Sequence, residues 1–302
     1  MEKLLFWLNC TRAYSLPMSV MAWLIPFTLG YLNNGKVFYG FLALLGIICA
    51  HLGANLFDDI IDYKNYLKNK KTEQTINLKK GKCQYFLDNK LSLILAVKAV
   101  IILFAIALLI GFYFIEIYRL PVLVIMAITG VLCLLYPKSG YFALSEIIIG
   151  TIFSPLLFTG VYYVMTGTFS LKLLWLSLSF ALVTITLLYT DFFLDFNSDK
   201  AEGKKTLCTI SGSKHNAYYL YIFIIFLIYA NLFLGIHAHI FPLKYAIIFI
   251  SALYALKTIG QLQNYIDKEI KDEKEFMTAM NTTQKFIALF TVLCLICFYL
   301  TK

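Results

Sequence analysis

Long apolar runs, each ended by a short polar break, set the pattern of this chain. Nine are long enough to cross a hydrocarbon layer as helices: 16–34, 37–57, 91–115, 120–136, 141–165, 173–190, 217–236, 240–257 and 284–300. Inside a bilayer every backbone polar group must be satisfied within its own segment or a closed barrel, and runs of this length favour helices. The pattern is disturbed at the ends of the second and sixth runs. There Asn55, Asp58, Asp59 and Asp62 fall within roughly a 100° arc of one helix face. Asp191, Asp195 and Asp199 recur at a spacing of four and share a similar arc. Like charges so placed repel and weaken a helix unless something neutralises them.

Composition sharpens this picture. The 302 residues are 60% hydrophobic, which excludes an ordinary soluble domain and points to a multi-pass, all-α integral membrane protein. Only 17 residues are acidic, yet six stand in the two clusters, so the clusters are candidate binding sites for divalent cations. Oxygen donors on one or two faces suit Mg²⁺, which keeps waters and takes further oxygens from phosphate.

The net charge of +9 does not call for nucleic acid. With the N-terminus inside, most Lys and Arg fall in the N-terminal segment and the inner loops, while Lys36, Arg119, Lys172, Lys244 and Lys302 fall outside. This bias puts both acidic clusters on the cytoplasmic side, and a bacterial cytoplasmic membrane is the expected location. The loop 63–90 reads as a long, solvated, Lys-rich segment near anionic lipid. The stretch 258–283 reads as a loop of mixed charge, an amphipathic solvated helix. The seven cysteines are odd in number and mostly lie in apolar runs, including the C-x-x-C of Cys294 and Cys297, so they read as buried structural thiols. Residues 1–15 read as an interfacial helix with no cleavage pattern.

The two halves, about 1–138 and 139–302, echo one another: Asp59 and Asp62 answer to Asp195 and Asp199 within one continuous domain. Such a duplication, with a site between the halves, is a known membrane architecture. Facing acidic clusters, inner-surface cations and an apolar, aromatic-rich bundle together suit a lipid diphosphate. The acids would hold Mg²⁺ against the leaving group, while Lys64, Lys138, Lys204, Lys205 and Arg12 are candidate diphosphate contacts. Loss of diphosphate from an allylic carbon leaves a cation that aromatic faces attract, and Tyr136 and Tyr189 lie near the clusters in sequence. Glu146, an isolated membrane acid, is either paired or functional.

These residues resemble the UbiA superfamily of intramembrane prenyltransferases over nearly the whole chain. The likeness rests on nine spans, Asn55-Leu56 ahead of Asp58-Asp59-x-x-Asp62, and Asp195-x-x-x-Asp199-x-x-x-Gly203-Lys204-Lys205-Thr206-Leu207. Glu146 and Gly160-x-Tyr162-Tyr163-Val164-x-Thr166-Gly167 look like the menaquinone branch, whose acceptor is 1,4-dihydroxy-2-naphthoate. The resemblance implies Mg²⁺-dependent transfer of a polyprenyl chain from its diphosphate to an aromatic ring. It further implies metal binding by Asn55, Asp58, Asp59, Asp62, Asp191, Asp195 and Asp199. Asp59, Asp62, Asp195 and Asp199 are then the acids at the reacting diphosphate, and Tyr136, Tyr189 and Glu146 lie toward the carbocation and acceptor.

The chain departs from the family pattern in three places. Asp58 stands where the first motif has Asn, Arg12 is followed by Ala13 rather than Pro, and the loop after the first motif is simply Lys- and Asn-rich. Other acceptors of the superfamily remain open: 4-hydroxybenzoate, a futalosine-type intermediate, haem or a sugar phosphate. A divalent-cation transporter is the alternative from another class. Against it, both clusters lie at one face rather than at the midplane.

Overall fold

The computed structural model describes residues 2–71, 83–267 and 273–302; the side chains of 2, 69–71, 267 and 273–276 are also left aside. Among the described residues there are no strands, and nine helical segments are long and apolar enough to cross a membrane. The protein is therefore a multi-pass integral membrane protein. The chain forms two compact units, Met1–Val20 with Phe38–Pro137 and Met21–Val37 with Lys138–Lys302.

The first unit opens with α1 (Glu2–Cys10), whose Leu4, Leu5 and Leu8 are exposed. A 3₁₀ turn (Ala13–Ser15) leads into α2 (Leu16–Leu32), whose first residues belong to this unit. Next comes α3 (Val37–Lys71), 35 residues long. At 1.5 Å per residue it extends roughly 52 Å, well beyond a hydrocarbon core of about 30 Å. The first acidic cluster was expected where the helix ends. Instead it lies inside a helix that runs on for nine residues past Asp62, into what had been read as loop.

The far end of that loop also differs from expectation. Residues Cys83 and Phe86 of α4 (Gln84–Leu87), together with Leu91, pack into a core with Cys10, Leu56, Ile60, Ala96 and Val100. Burying these apolar side chains offsets the cost of ordering the segment. The lysines at 70, 71, 79, 80 and 82 lie outside the described residues or side chains. Two long apolar helices, α5 (Leu93–Tyr118) and α6 (Leu120–Ser139), complete the unit and expose large side chains such as Ile101, Leu109, Phe112 and Leu134. In a bilayer that is the lipid-facing surface rather than a defect.

The second unit is built around α9 (Leu171–Leu194), which packs against α7 (Ser145–Thr151), α12 (Lys214–His237) and α14 (Glu273–Leu300). Between α7 and α8 (Leu157–Thr166) a π turn, Ile152–Leu156, contains Pro155, whose missing N–H cannot continue the ordinary ladder. Polar groups tie α9 to α12. Trp175 Nε1 donates to the Asn231 carbonyl at 3.0 Å, and Asn231 Nδ2 returns to the Trp175 carbonyl at 3.2 Å and to Ser179 Oγ at 2.8 Å. Within lipid, which gives helices no hydrophobic reason to associate, such interhelical bonds and close packing do so. The rings of Phe158, Phe180 and Phe290 fill the space between α8, α9 and α14, with centroids 5.2 and 6.0 Å apart.

After α9 come two short helices, α10 (Phe196–Ala201) and α11 (Leu207–Ile210). A 3₁₀ stretch, Leu243–Ser251, then leads into α13 (Ala252–Asp267). The stretch 258–283, expected as an amphipathic helix, is helical on both sides of its undescribed residues: α13 carries on to Asp267, and α14 begins eleven residues before the expected span. Lys268, Glu269, Lys271 and Asp272 lie outside the described residues.

Candidate active site: two acidic clusters

The first cluster sits on one face of α3 and is held by the N-terminal segment. Arg12 reaches it from an αL backbone (φ 52°, ψ 44°). Its Nη2 donates to the Asn55 carbonyl at 3.0 Å and to Asp58 Oδ2 at 2.9 Å, and lies 3.2 Å from Asp59 Oδ1. Both carboxylates are buried, and the Arg12 guanidinium between them offsets part of the repulsion that their spacing creates. Burial works against the guanidinium charge, but Asp59 and then Asp58 outweigh it and hold the pKa of Arg12 above its usual value. Tyr136 is close enough to Arg12 to contribute in the same direction. Asn55 directs its amide to the Thr11 carbonyl (3.1 Å) and to Ser15 Oγ (3.0 Å), bracing the N-terminal turn.

Asp59 has two partners that the sequence reading did not single out. Tyr85 donates its hydroxyl to Asp59 Oδ2 at 2.7 Å, and Cys83 Sγ donates to the Asp59 carbonyl at 3.2 Å. Burial first, and then the Asp59 charge, pushes the Tyr85 phenol above its ordinary pKa, so it remains a donor. The Cys10 thiol is pushed up to about 11, by burial and then by Asp59. A signal for this return was present: apolar Tyr85, Phe86 and Leu87 interrupt an otherwise Lys-rich loop. Asp62 is half-buried on the same helix, while Lys64 is exposed.

In the second unit α9 ends at Leu194, and Asp195 occupies the break before α10 (φ −90°, ψ 9°). The helical spacing nonetheless survives, because Asp195 N–H bonds the Asp191 carbonyl at 3.1 Å and Asp199 N–H bonds the Asp195 carbonyl at 2.9 Å. Asp191 and Asp195 are half-buried. Asp199 is fully buried and accepts from Lys204 Nζ at 3.0 Å; Lys204 also pairs with Glu202 at 2.6 Å. Burial lowers the Lys204 pKa, but its bond to Glu202 and the Asp199 charge outweigh this and raise it.

The Gly203–Leu207 segment is bolted in place on both sides. Gly203 turns in the αL region (φ 72°), Lys205 N–H bonds the Gly140 carbonyl at 2.8 Å, and Thr209 Oγ1 donates to the Lys204 carbonyl at 2.7 Å. Glu146, fully buried at the start of α7, accepts from Leu207 N–H at 2.8 Å. It therefore holds the loop that carries Lys204. Tyr189 is also fully buried, and its hydroxyl donates to the Ala217 carbonyl at 2.8 Å. Lys138 and the Lys205 side chain are exposed. Among the described residues, no three His, Cys, Asp or Glu side chains converge as in a closed metal centre.

The model of the UbiA prenyltransferase family matches residues 17–288. No curated protein matches the chain. Several solved structures share its fold. One concerns digeranylgeranylglyceryl phosphate synthase in membranes, at 17% identity and a TM-score of 0.67, with 99% of each chain covered. Another is the apo structure of a UbiA homolog from Aeropyrum pernix K1, at 14% identity and a TM-score of 0.64, with 92% of this chain and 98% of that one covered. A UbiA homolog from Archaeoglobus fulgidus bound to DMAPP and Mg²⁺ aligns at 14% identity and a TM-score of 0.57, over 95% of this chain and 98% of that one.

Proposed function

The chain belongs to the UbiA prenyltransferase family, and from that premise we propose that it transfers a polyprenyl chain from an allylic diphosphate to 1,4-dihydroxy-2-naphthoate. The reaction would serve menaquinone synthesis, at the cytoplasmic face of a bacterial cytoplasmic membrane. The observation that carries the reading is the second motif, where Asp195, Asp199 and Lys204 stand together on a braced turn with half-buried Asp191 one helical turn away. The naphthoate rests on the resemblance of that motif and of Gly160–Gly167 to the menaquinone branch.

The donor set fits Mg²⁺. It offers hard carboxylate oxygens, and the lack of a closed three-ligand centre among the described residues is no obstacle to an ion that takes one or two carboxylates and completes its shell with water and phosphate. When bound, the ion supplies charge neutralisation for the departing diphosphate. The half-buried acids are the first candidates for Mg²⁺ ligands, each within its own cluster: Asp62 in the first, Asp191 and Asp195 in the second. Asp58 and Asp59, tied to Arg12, tune the first cluster, and Lys204 adds a fixed positive charge beside Asp199. In the transfer, the carbon–oxygen bond to diphosphate breaks, a ring carbon of the acceptor bonds the allylic carbon, and the naphthoate loses its carboxyl group as CO₂.

The test offers purified protein geranyl diphosphate, Mg²⁺ and, separately, 1,4-dihydroxy-2-naphthoate or 4-hydroxybenzoate, with products read by mass spectrometry. A prenylated naphthalene lighter by CO₂ is the expected product. A product with the benzoate alone would keep the transfer and overturn the acceptor. A second expectation concerns Tyr85: Tyr85→Phe removes a donor from Asp59 and should weaken apparent Mg²⁺ affinity by about tenfold, the scale of an outer-shell partner. An unchanged Mg²⁺ titration would remove Tyr85 from the site.

A further inference from the structure

Behind the first acidic cluster runs a chain of hydrogen bonds that reaches into the membrane-spanning part of the unit. Ser15 Oγ donates to the Arg12 carbonyl at 2.8 Å and accepts from Asn55 Nδ2 at 3.0 Å. His51 Nε2 lies 3.0 Å from the same oxygen, and His51 Nδ1 meets Ser19 Oγ. A hydroxyl has one proton, and that of Ser15 goes to a carbonyl, which can only accept. Nε2 of His51 must therefore carry a hydrogen and donate to Ser15, leaving Nδ1 to accept from Ser19. For a neutral imidazole the network thus assigns the Nε2–H tautomer.

This chain bears on Arg12 directly. A non-glycine residue in the αL region is sterically disfavoured and persists only where surroundings fix it. Here Ser15 holds the Arg12 carbonyl, Asn55 holds the adjacent Thr11 carbonyl, and the guanidinium closes the loop on the Asn55 carbonyl. His51 supports the hinge of that arrangement, the Ser15 hydroxyl.

We propose that His51 is a positioning residue. Through Ser15 it fixes the left-handed turn at Arg12, and so the placement of the guanidinium against Asp58 and Asp59. For diphosphate binding, the proposal rests on the prenyl-transfer reading given above. A glutamine side chain also presents a donor and an acceptor at its tip, so it can replace the bonds to Ser15 and Ser19, whereas phenylalanine replaces neither.

The experiment has an arm that needs no substrate. The chain contains two arginines, Arg12 and the exposed Arg119. In an Arg119→Lys background, modification of Arg12 by phenylglyoxal is followed by mass spectrometry. His51→Phe should speed it about tenfold, the scale of losing one or two hydrogen bonds, and His51→Gln should stay within about twofold of the parent. Equal rates in parent and His51→Phe, or a His51→Gln rate as fast as that of His51→Phe, would overturn the proposal. The second arm measures geranyl diphosphate binding with Mg²⁺. His51→Phe should weaken it about tenfold in the parent and by nothing further in an Arg12→Ala background, because the two act through one group. A His51 effect that persists without Arg12 would also overturn it. A parent that binds no geranyl diphosphate would overturn the prenyl-transfer reading alone, and the phenylglyoxal rates would then decide the role of His51.

Discussion

Replacing Asp195 with alanine is expected to lower kcat/KM by about a thousandfold, because several kcal/mol of metal-borne charge stabilisation is lost and each 1.4 kcal/mol is a factor of ten. Asp195 occupies the break between α9 and α10, where its backbone already satisfies the Asp191 carbonyl. Alanine keeps that bond, so α9 and its contacts with α12 and α14 should persist. The thermal midpoint is accordingly expected to move by no more than about 2 °C, because Asp195 is only half-buried and the backbone bonds at the break are kept. Steady-state kinetics at saturating Mg²⁺, together with thermal unfolding in detergent, check both halves. Near-normal turnover would remove Asp195 from the reaction.

The largest effect on stability is expected at Lys204. Its ammonium is the charged partner of Asp199, which is fully buried, and it also binds Glu202. Lys204→Met would remove an ion-pair partner of the buried Asp199 carboxylate, and removing one member of a buried pair typically costs about 3–5 kcal/mol. For a chain of this size that corresponds to a fall of about 6–12 °C in Tm. Neutralising the abandoned acid should reverse most of the loss, so Lys204→Met with Asp199→Asn is expected to regain stability while activity stays low. The four proteins form a double-mutant cycle in which the coupling appears in Tm. Additive losses, with no recovery in the double variant, would show that the pair is not the source.

Much of this was legible in the sequence because membrane helices obey a demanding rule. Apolar length alone locates them, and nine such helices stand among the described residues. What hydropathy could not show is where a helix stops once it leaves the apolar run. In α3 Asp58 and Asp59 are paired with Arg12, which eases the repulsion within the cluster, and the helix runs on past Asp62. The membrane boundary and the helix end are therefore different places.

At the second cluster the four-residue spacing was read correctly as helical bonding, yet the break at Asp195 left no mark in the sequence. Tyr85 and Cys83 were hidden by the lysines around them, although an aromatic pair inside a basic loop is a reason to expect burial. His51 and Ser15 were missed for a different cause. Each is unremarkable alone, and only the joint spacing of four, Ser15 to Ser19 and His51 to Asn55, would have placed polar faces on two neighbouring helices.

The central claim is that the acidic clusters bind a metal diphosphate. Its most direct test is equilibrium binding of radiolabelled geranyl diphosphate to purified protein, with Mg²⁺ and with the metal chelated. Saturable binding that requires Mg²⁺ and is lost in Asp195→Ala is the expected result. Binding that is absent in the wild type, or that is indifferent to both Mg²⁺ and Asp195, would contradict it.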